Sequence, residues 1–426
     1  MRQPLAGITT SLLFLSSWVS AVPTSLGEKN DTAALLPRAG EHWVATWTSM
    51  PQLVESNNMP PSPFSSGGVF KDATLRQTLH LSIGAERLRI QISNTFGGSD
   101  LPITAATIAL PTGGKAGVAG IDTATLKALT FNGGSESIKI ARGQVAYSDP
   151  IDYKVDAQSM ITISLYSQAG QSGSSITGHP GSRTTSWMQT GNKVKDATMA
   201  GSSTKHWYFV SAVEAWAPAD AGALIILGDS ITDGRGSTDD ANNRWPDLLI
   251  ARLQKAGLTH IGVNNQAAGG NTVLSGGLGP PLLQRYKRDA LEQQGVKWVM
   301  IFEGVNDLGN AGDGNGVATR LQSAYKQIVA DCKKAGFKTI GATITAFSGS
   351  GQSYSGAGRE AGRQTINKWI LTSGTFDATV DFAKFIDDPS QKSQLAKTYD
   401  GGDHLHPNVA GYQAMADQFP LDIFKE

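Results

Sequence analysis

The sequence predicts a two-part α/β chain: a β-sandwich or jelly-roll domain over residues 41–215, then a three-layer half over 220–426 with a parallel sheet between helices. Three observations predict it. From about Trp43 to Tyr208, apolar residues alternate over short stretches separated by Gly, Ser, Asp and Pro, and helical spacing is nearly absent. After Pro218 the texture changes, and continuous apolar runs of strand length alternate with amphipathic segments. The length of 426 residues exceeds the roughly 250–300 at which a single core usually stops growing.

In the first half, Leu79, Leu81 and Ile83 alternate, as do Leu88, Ile90 and Ile92, and Ile161, Ile163 and Leu165. Each set marks a strand with one buried face. In the second half the strand candidates are Ala223 to Leu227, His260 to Asn265, Trp298 to Phe302, Thr339 to Ile344 and Thr379 to Phe382. Between them, helices are expected over Arg244 to Lys255, Leu282 to Gln294, Val317 to Ala335 and Arg359 to Thr372, with a last one after Pro407. The Gly- and Ser-rich stretch from Ser348 to Gly358 is expected to be a flexible surface loop.

The N-terminus has a targeting layout. Arg2 precedes an apolar run (Leu12, Leu13, Phe14, Leu15, Trp18, Val19) and small residues Ser20 and Ala21, which predicts a signal peptide over 1–21 and an extracellular protein. The run is shorter than the ~20 residues a spanning helix needs, so no stable membrane insertion is expected. Residues 22–40 are polar, hold the Asn30-Asp31-Thr32 sequon and end near Leu36-Pro37-Arg38; they are expected to be a propeptide or a disordered lead. Cys332 is the only cysteine, so no disulfide forms within the chain, and its helical spacing from Leu321, Tyr325, Ile328 and Val329 gives it a buried apolar role.

Charged residues are 17% of the chain and balance to zero, which removes the basic footprint of a nucleic-acid-binding protein. The expected partner is a small molecule or a polysaccharide ester; the oligomeric state stays open.

Ligands of an open parallel sheet bind beyond the carboxyl ends of its strands, so chemistry is sought where each apolar run stops. The first run ends in Gly228-Asp229-Ser230-Ile231, a hydroxyl at a tight turn that needs a base to become a nucleophile. The second ends in Gly269-Gly270-Asn271, where backbone N–H groups can face a ligand, and the third in Gly304-Val305-Asn306-Asp307, where an amide side chain can meet an oxyanion. Before the last helix stands Asp403-His404-Leu405-His406, a carboxylate three residues from an imidazole whose Nδ1 it can hold. Taken singly, each motif is also an ordinary turn. His404 and His406 read as metal ligands would supply two of the three or four groups that zinc takes.

Together these blocks resemble the SGNH (GDSL-type) hydrolase family over residues 220–426, matching its Ser at Ser230, Gly at Gly270, Asn at Asn306 and His at His406. Gly269 is adjacent, so the second block can slip by one position, and Ile231 stands where many members have Leu. The resemblance implies a flavodoxin-like three-layer sheet and a cofactor-free serine esterase. Ser230 would be the nucleophile, His406 the base oriented by Asp403, and Ser230, Gly270 and Asn306 the oxyanion hole. Around Trp43–Trp47 and Ile92–Gly97 the first half resembles the β-rich region of extracellular members, which makes Trp47, Asn94 and His179 candidate cleft residues. Short-chain acetyl esters of carbohydrate are the expected substrates. A secreted lipase or lysophospholipase, and a carbohydrate-binding protein with an inactive hydrolase half, are the alternatives. Paired carboxylates for glycoside hydrolysis find only Glu86, Asp149 and Asp152 in the β-rich part.

Overall fold

The computed structural model describes residues 40–425, so the expected signal peptide and, Gly40 apart, the 22–40 lead lie outside the described residues. These described residues form one compact unit.

The β-rich half builds two main antiparallel sheets. One has the order His42–Thr48, Val210–Ala217, Ala85–Ser93, Ile151–Val155, with Val145–Tyr147 also pairing with Ala85–Ser93. The other runs Ser202–Thr204, Ser186–Thr190, Ala73–His80, Met160–Ser167, Ala105–Pro111, Ile121–Ala128. The alternation at Leu88, Ile90 and Ile92 places all three in the core. Every residue of Met160–Ser167 is buried, so both faces of that strand are covered. Arg76, in the neighbouring strand, is also fully buried, and it is tolerated because Ser164 Oγ and the carbonyls of Ala119, Lys193 and Asp196 accept from its guanidinium.

The second half is a parallel sheet in the order Ile261–Ala267, Gly222–Gly228, Val296–Phe302, Lys338–Ala342, Ala378–Val380. Numbered along the chain this is 2-1-3-4-5, the flavodoxin-like order. Helices Trp245–Lys255 and Val409–Gln418 pack together, and Gly314–Lys334 packs on Ala357–Thr372, completing three layers. The last strand is shorter than the sequence predicts because Asp381 caps a helix that starts at Phe382. The helix expected over 282–294 runs from Leu282 to Tyr286 and widens into a π-type turn at Lys287–Leu291.

The architecture changes between Ala217 and Gly222, yet the two halves share one hydrophobic core. Their junction covers the sheet's edge strand, whose unpaired backbone groups would otherwise face outward. Val263 N–H donates to Ser82 Oγ at 3.0 Å, and Asn264 Nδ2 donates to Ala45 C=O at 2.9 Å. Position 262 must be glycine, because a Cβ there would stand 2.4 Å from the Ala45 carbonyl oxygen.

Candidate active site

The first strand stops at Gly228, and the Asp229 carboxylate accepts from Ile231 N–H at 3.0 Å to open a one-turn helix over Ser230–Asp233. Ser230 thereby stands at the sheet's carboxyl rim. Ser230 Oγ lies 2.8 Å from His406 Nε2, across 176 residues of sequence.

His406 is held from behind. Its Nδ1 is 2.7 Å from Asp403 Oδ2, while Asp403 Oδ1 accepts from the N–H groups of Leu405 and His406. Desolvation pushes the Asp403 carboxyl up, but the His406 ring and these N–H groups outweigh it and leave it well below the usual carboxylate range. A carboxylate only accepts, so the ring proton sits on Nδ1 and the Nε2 lone pair faces the Ser230 hydroxyl. His404 points elsewhere, to Asp400 at 2.6 Å.

Two further strand ends supply donors. Gly269 N–H donates to Asp233 Oδ2 at 3.0 Å, whereas Gly270 N–H has no acceptor among the described residues. Of the two glycines, Gly270 is therefore the one free to meet a ligand. Its φ of +70° suits glycine, and a Cβ there would press on Leu278. Asn306 Nδ2 donates to Asn271 C=O at 2.7 Å, and the Tyr354 hydroxyl donates to Asn306 Oδ1 at 2.9 Å. That pair of bonds sets which way the amide faces and leaves one N–H of Nδ2 unused. Asp307 clamps the neighbouring segment by accepting from the N–H groups of Val273 and Leu274.

Ser230, His406, Gly270 and Asn306 line one cavity of about 420 Å³ with Leu278 and Tyr354, walled on the β-rich side by Gln52, Asn58 and Arg183 among others. Trp47, Asn94 and His179, expected to line the cleft, do not. Trp47 packs edge-on against Trp207 in the core. Asn94 is fully buried and clamps loops, donating to the carbonyls of Ser99, Ile140 and Ala141 while accepting from Gln171. His179 is buried behind the wall, with Nε2 2.9 Å from Asp233 Oδ1 and Nδ1 3.1 Å from Met50 C=O. Side chains of this kind serve either core or cleft, and burial decides between them.

Sequence reasoning missed Asp233 and Tyr354. Asp233, three residues after the nucleophile candidate, ties His179 to the Gly269 turn. Tyr354 lies in the 348–358 stretch expected to be a flexible loop, which is instead anchored by Tyr354 on Asn306 and by Gln352 Nε2 on Asp403 C=O at 2.5 Å. Composition carries no signal of such anchoring.

Beneath the rim lies a group of buried acids. Burial pushes the Asp229 carboxyl up to about 7, against the bond from Ile231 N–H, and pushes Asp307 up to about 6. Burial also raises Glu303, opposed by the Arg285 guanidinium. A carboxyl raised in the fold lowers stability as pH climbs from its unfolded value near ~4 to its folded one. Asp229→Asn, which keeps a capping oxygen, is therefore expected to melt above the parent at pH 8 and to lose that advantage near pH 4. A larger advantage at pH 4 would contradict this.

With this geometry in place, comparison with known proteins shows what the second half is similar to. A model of the GDSL-like lipase/acylhydrolase family matches residues 226–414. That segment is similar to a GDSL-like lipase/acylhydrolase domain. It contains Ser230, Gly270, Asn306, Asp403 and His406, the residues that the sequence motifs single out. No curated protein matches the chain. Among solved structures, a putative acylhydrolase from Bacteroides fragilis is 20% identical, over 48% of this chain and 86% of its own, with a TM-score of 0.36. An acetyl xylan esterase variant from Geobacillus stearothermophilus is 23% identical, over 48% of this chain and 96% of its own, with a TM-score of 0.35.

Proposed function

We propose that the protein is a secreted serine esterase that removes short acyl groups, acetyl above all, from carbohydrate esters. The observation that carries the reading is the 2.8 Å contact between Ser230 Oγ and a His406 Nε2 whose ring is oriented by Asp403. In this mechanism Ser230 Oγ attacks the ester carbonyl and passes its proton to His406 Nε2, and Asp403 stabilises the imidazolium. His406 then gives the proton to the departing alcohol oxygen. Water, deprotonated by the same nitrogen, attacks the acyl-enzyme and releases the acid and Ser230. The N–H groups of Ser230 and Gly270 and the free amide N–H of Asn306 meet the oxyanion in both halves, each donor worth about 10²–10³ in rate.

Secretion rests on the N-terminal pattern; among the described residues no helix is long and apolar enough to cross a membrane. One experiment tests both parts of the reading. Culture medium of an expressing host is treated with a fluorophosphonate probe, and the labelled protein is sequenced from its N-terminus. Labelling of the parent chain, its loss in Ser230→Ala, and cleavage near Ala21 are expected. An unlabelled parent would favour the binding-protein alternative, and faster hydrolysis of 4-nitrophenyl palmitate than of the acetate would favour a lipase.

A further inference from the structure

The cavity beside Ser230 has an unbalanced lining. Of the carboxylates on its wall, Glu55 is bonded by Gln52 Nε2 at 2.6 Å and Asn58 Nδ2 at 3.0 Å, and Asp233 by His179 and Gly269. The two guanidiniums on the wall, Arg183 and Arg235, have neither a hydrogen-bond nor an ion-pair partner for their side chains among the described residues. Arg183 Nε is itself buried without an acceptor, an arrangement that costs free energy unless something fills it.

Arg183 is also held in place. Its φ of +50° lies in the left-handed region, where a non-glycine residue persists only if its surroundings enforce it. They do so here: Asp240 N–H donates to Arg183 C=O at 2.9 Å, and the Asp240 carboxylate accepts from Thr185 N–H and Oγ1 at 2.6 and 2.7 Å. The nearby Lys205 is taken by Asp239 at 2.6 Å. Arg235 follows the nucleophile helix directly, with its N–H on Ser230 C=O at 2.9 Å and its own C=O accepting from Tyr412. Two permanent cations on anchored backbone, one on each half of the molecule, thus share a cavity with the nucleophile.

We propose that the cleft takes an ester whose alcohol part carries a carboxylate, the uronate of an acidic saccharide, and that Arg183 and Arg235 bind that carboxylate. The proposal rests on the short-acyl reading above: an acetyl group has no room for a charge, so the anion belongs to the alcohol. Guanidiniums pair with planar carboxylates through parallel N–H bonds, and a partly enclosed cavity screens such pairs less than open water does.

The test compares 4-carboxyphenyl acetate with its carbamoyl analogue, two aryl acetates of similar shape that differ by one charge. The enzymes are the parent, Arg183→Gln, Arg183→Lys, Arg235→Gln, the double Gln variant and Lys205→Gln. The anionic-to-neutral ratio of kcat/KM is expected to fall about ten-fold in the double variant, mainly through KM. Arg183→Lys should recover part of it, and Lys205→Gln should keep the parent ratio. Added salt should lower the parent ratio. In a second arm the parent should release acetate faster from acetylated oligogalacturonides than from acetylated xylo-oligosaccharides, a preference the double variant loses. Should Arg183→Gln fold poorly, the exposed Arg235→Gln carries the same ratio test. An unchanged ratio in the Gln variants, or a xylan preference in the parent, overturns the anion subsite. A parent that neither hydrolyses the neutral ester nor labels with fluorophosphonate overturns the esterase reading instead.

Discussion

Hydrolysis of 4-nitrophenyl acetate is expected to fall by on the order of 10⁴–10⁶ in Ser230→Ala, by a similar factor in His406→Ala, and by no more in the double variant. The reason lies in the single contact between the two side chains. Without the imidazole the hydroxyl keeps its proton, and without the hydroxyl the imidazole has nothing to activate, so the second loss removes nothing further. The remaining rate, about 10³ above water, would come from the N–H groups of Gly270 and Asn306, which neither substitution touches. Steady-state kinetics on the three purified variants, with thermal melts to show that each is folded, decide the matter. Additive losses would mean that the two groups act in separate steps.

Arg285→Met is expected to cost about 3–5 kcal/mol of stability, the range found when one partner of a buried ion pair is removed. The guanidinium is buried and all five of its N–H groups are used: on Asn271 Oδ1, Gln266 C=O, Asp289 Oδ2, Gly228 C=O and Glu303 Oε2. Asp289 lies one turn further along the same helix, and the other acceptors lie at the ends of the first two parallel strands, just past the third, and in the segment that follows Gly270. Methionine fills the volume and leaves Glu303 and Asp289 without their shared counter-charge, although Arg288 still reaches Asp289. Glu303, already raised by burial, would then be more reluctant to ionise, so the deficit should not shrink from pH 5 to pH 8 and should grow wherever the parent's Glu303 ionises. Urea unfolding at both pH values measures it. A deficit below about 1 kcal/mol, the net worth of an ordinary hydrogen bond, would mean that the rim does not depend on this cation.

The parallel half was legible because its strands are continuous apolar runs, and each run stops at the residue where chemistry begins. Ser230, Gly270 and Asn306 are found that way, and the carboxylate three residues before His406 marks the fourth position. The β-rich half was legible as strands and illegible as a cleft wall. Trp47, Asn94 and His179 have side chains that suit a binding site, yet all three are consumed by packing and loop clamping. Among the β-rich residues that do reach the cavity, Gln52 sits in a two-residue strand, Asn58 in a single 3₁₀ turn and Arg183 in a loop, segments too short for their spacing to say anything about direction. The 348–358 stretch misled for a related reason: Gly and Ser report backbone freedom in the unfolded chain, and the Tyr354 anchor forms only against Asn306.

By itself the sequence determined the order of strands and helices in the second half, the change of architecture near residue 218, and the identity of the residues at the strand ends, because all of these follow from local periodicity and from where it breaks. Tertiary structure alone decided that Ser230 meets His406, that Gly270 rather than Gly269 keeps a free N–H, and that Arg183 and Arg235 face the same cavity unpaired. Those are relations between segments far apart in the chain, and the pattern within a segment carries no record of what the fold will place beside it.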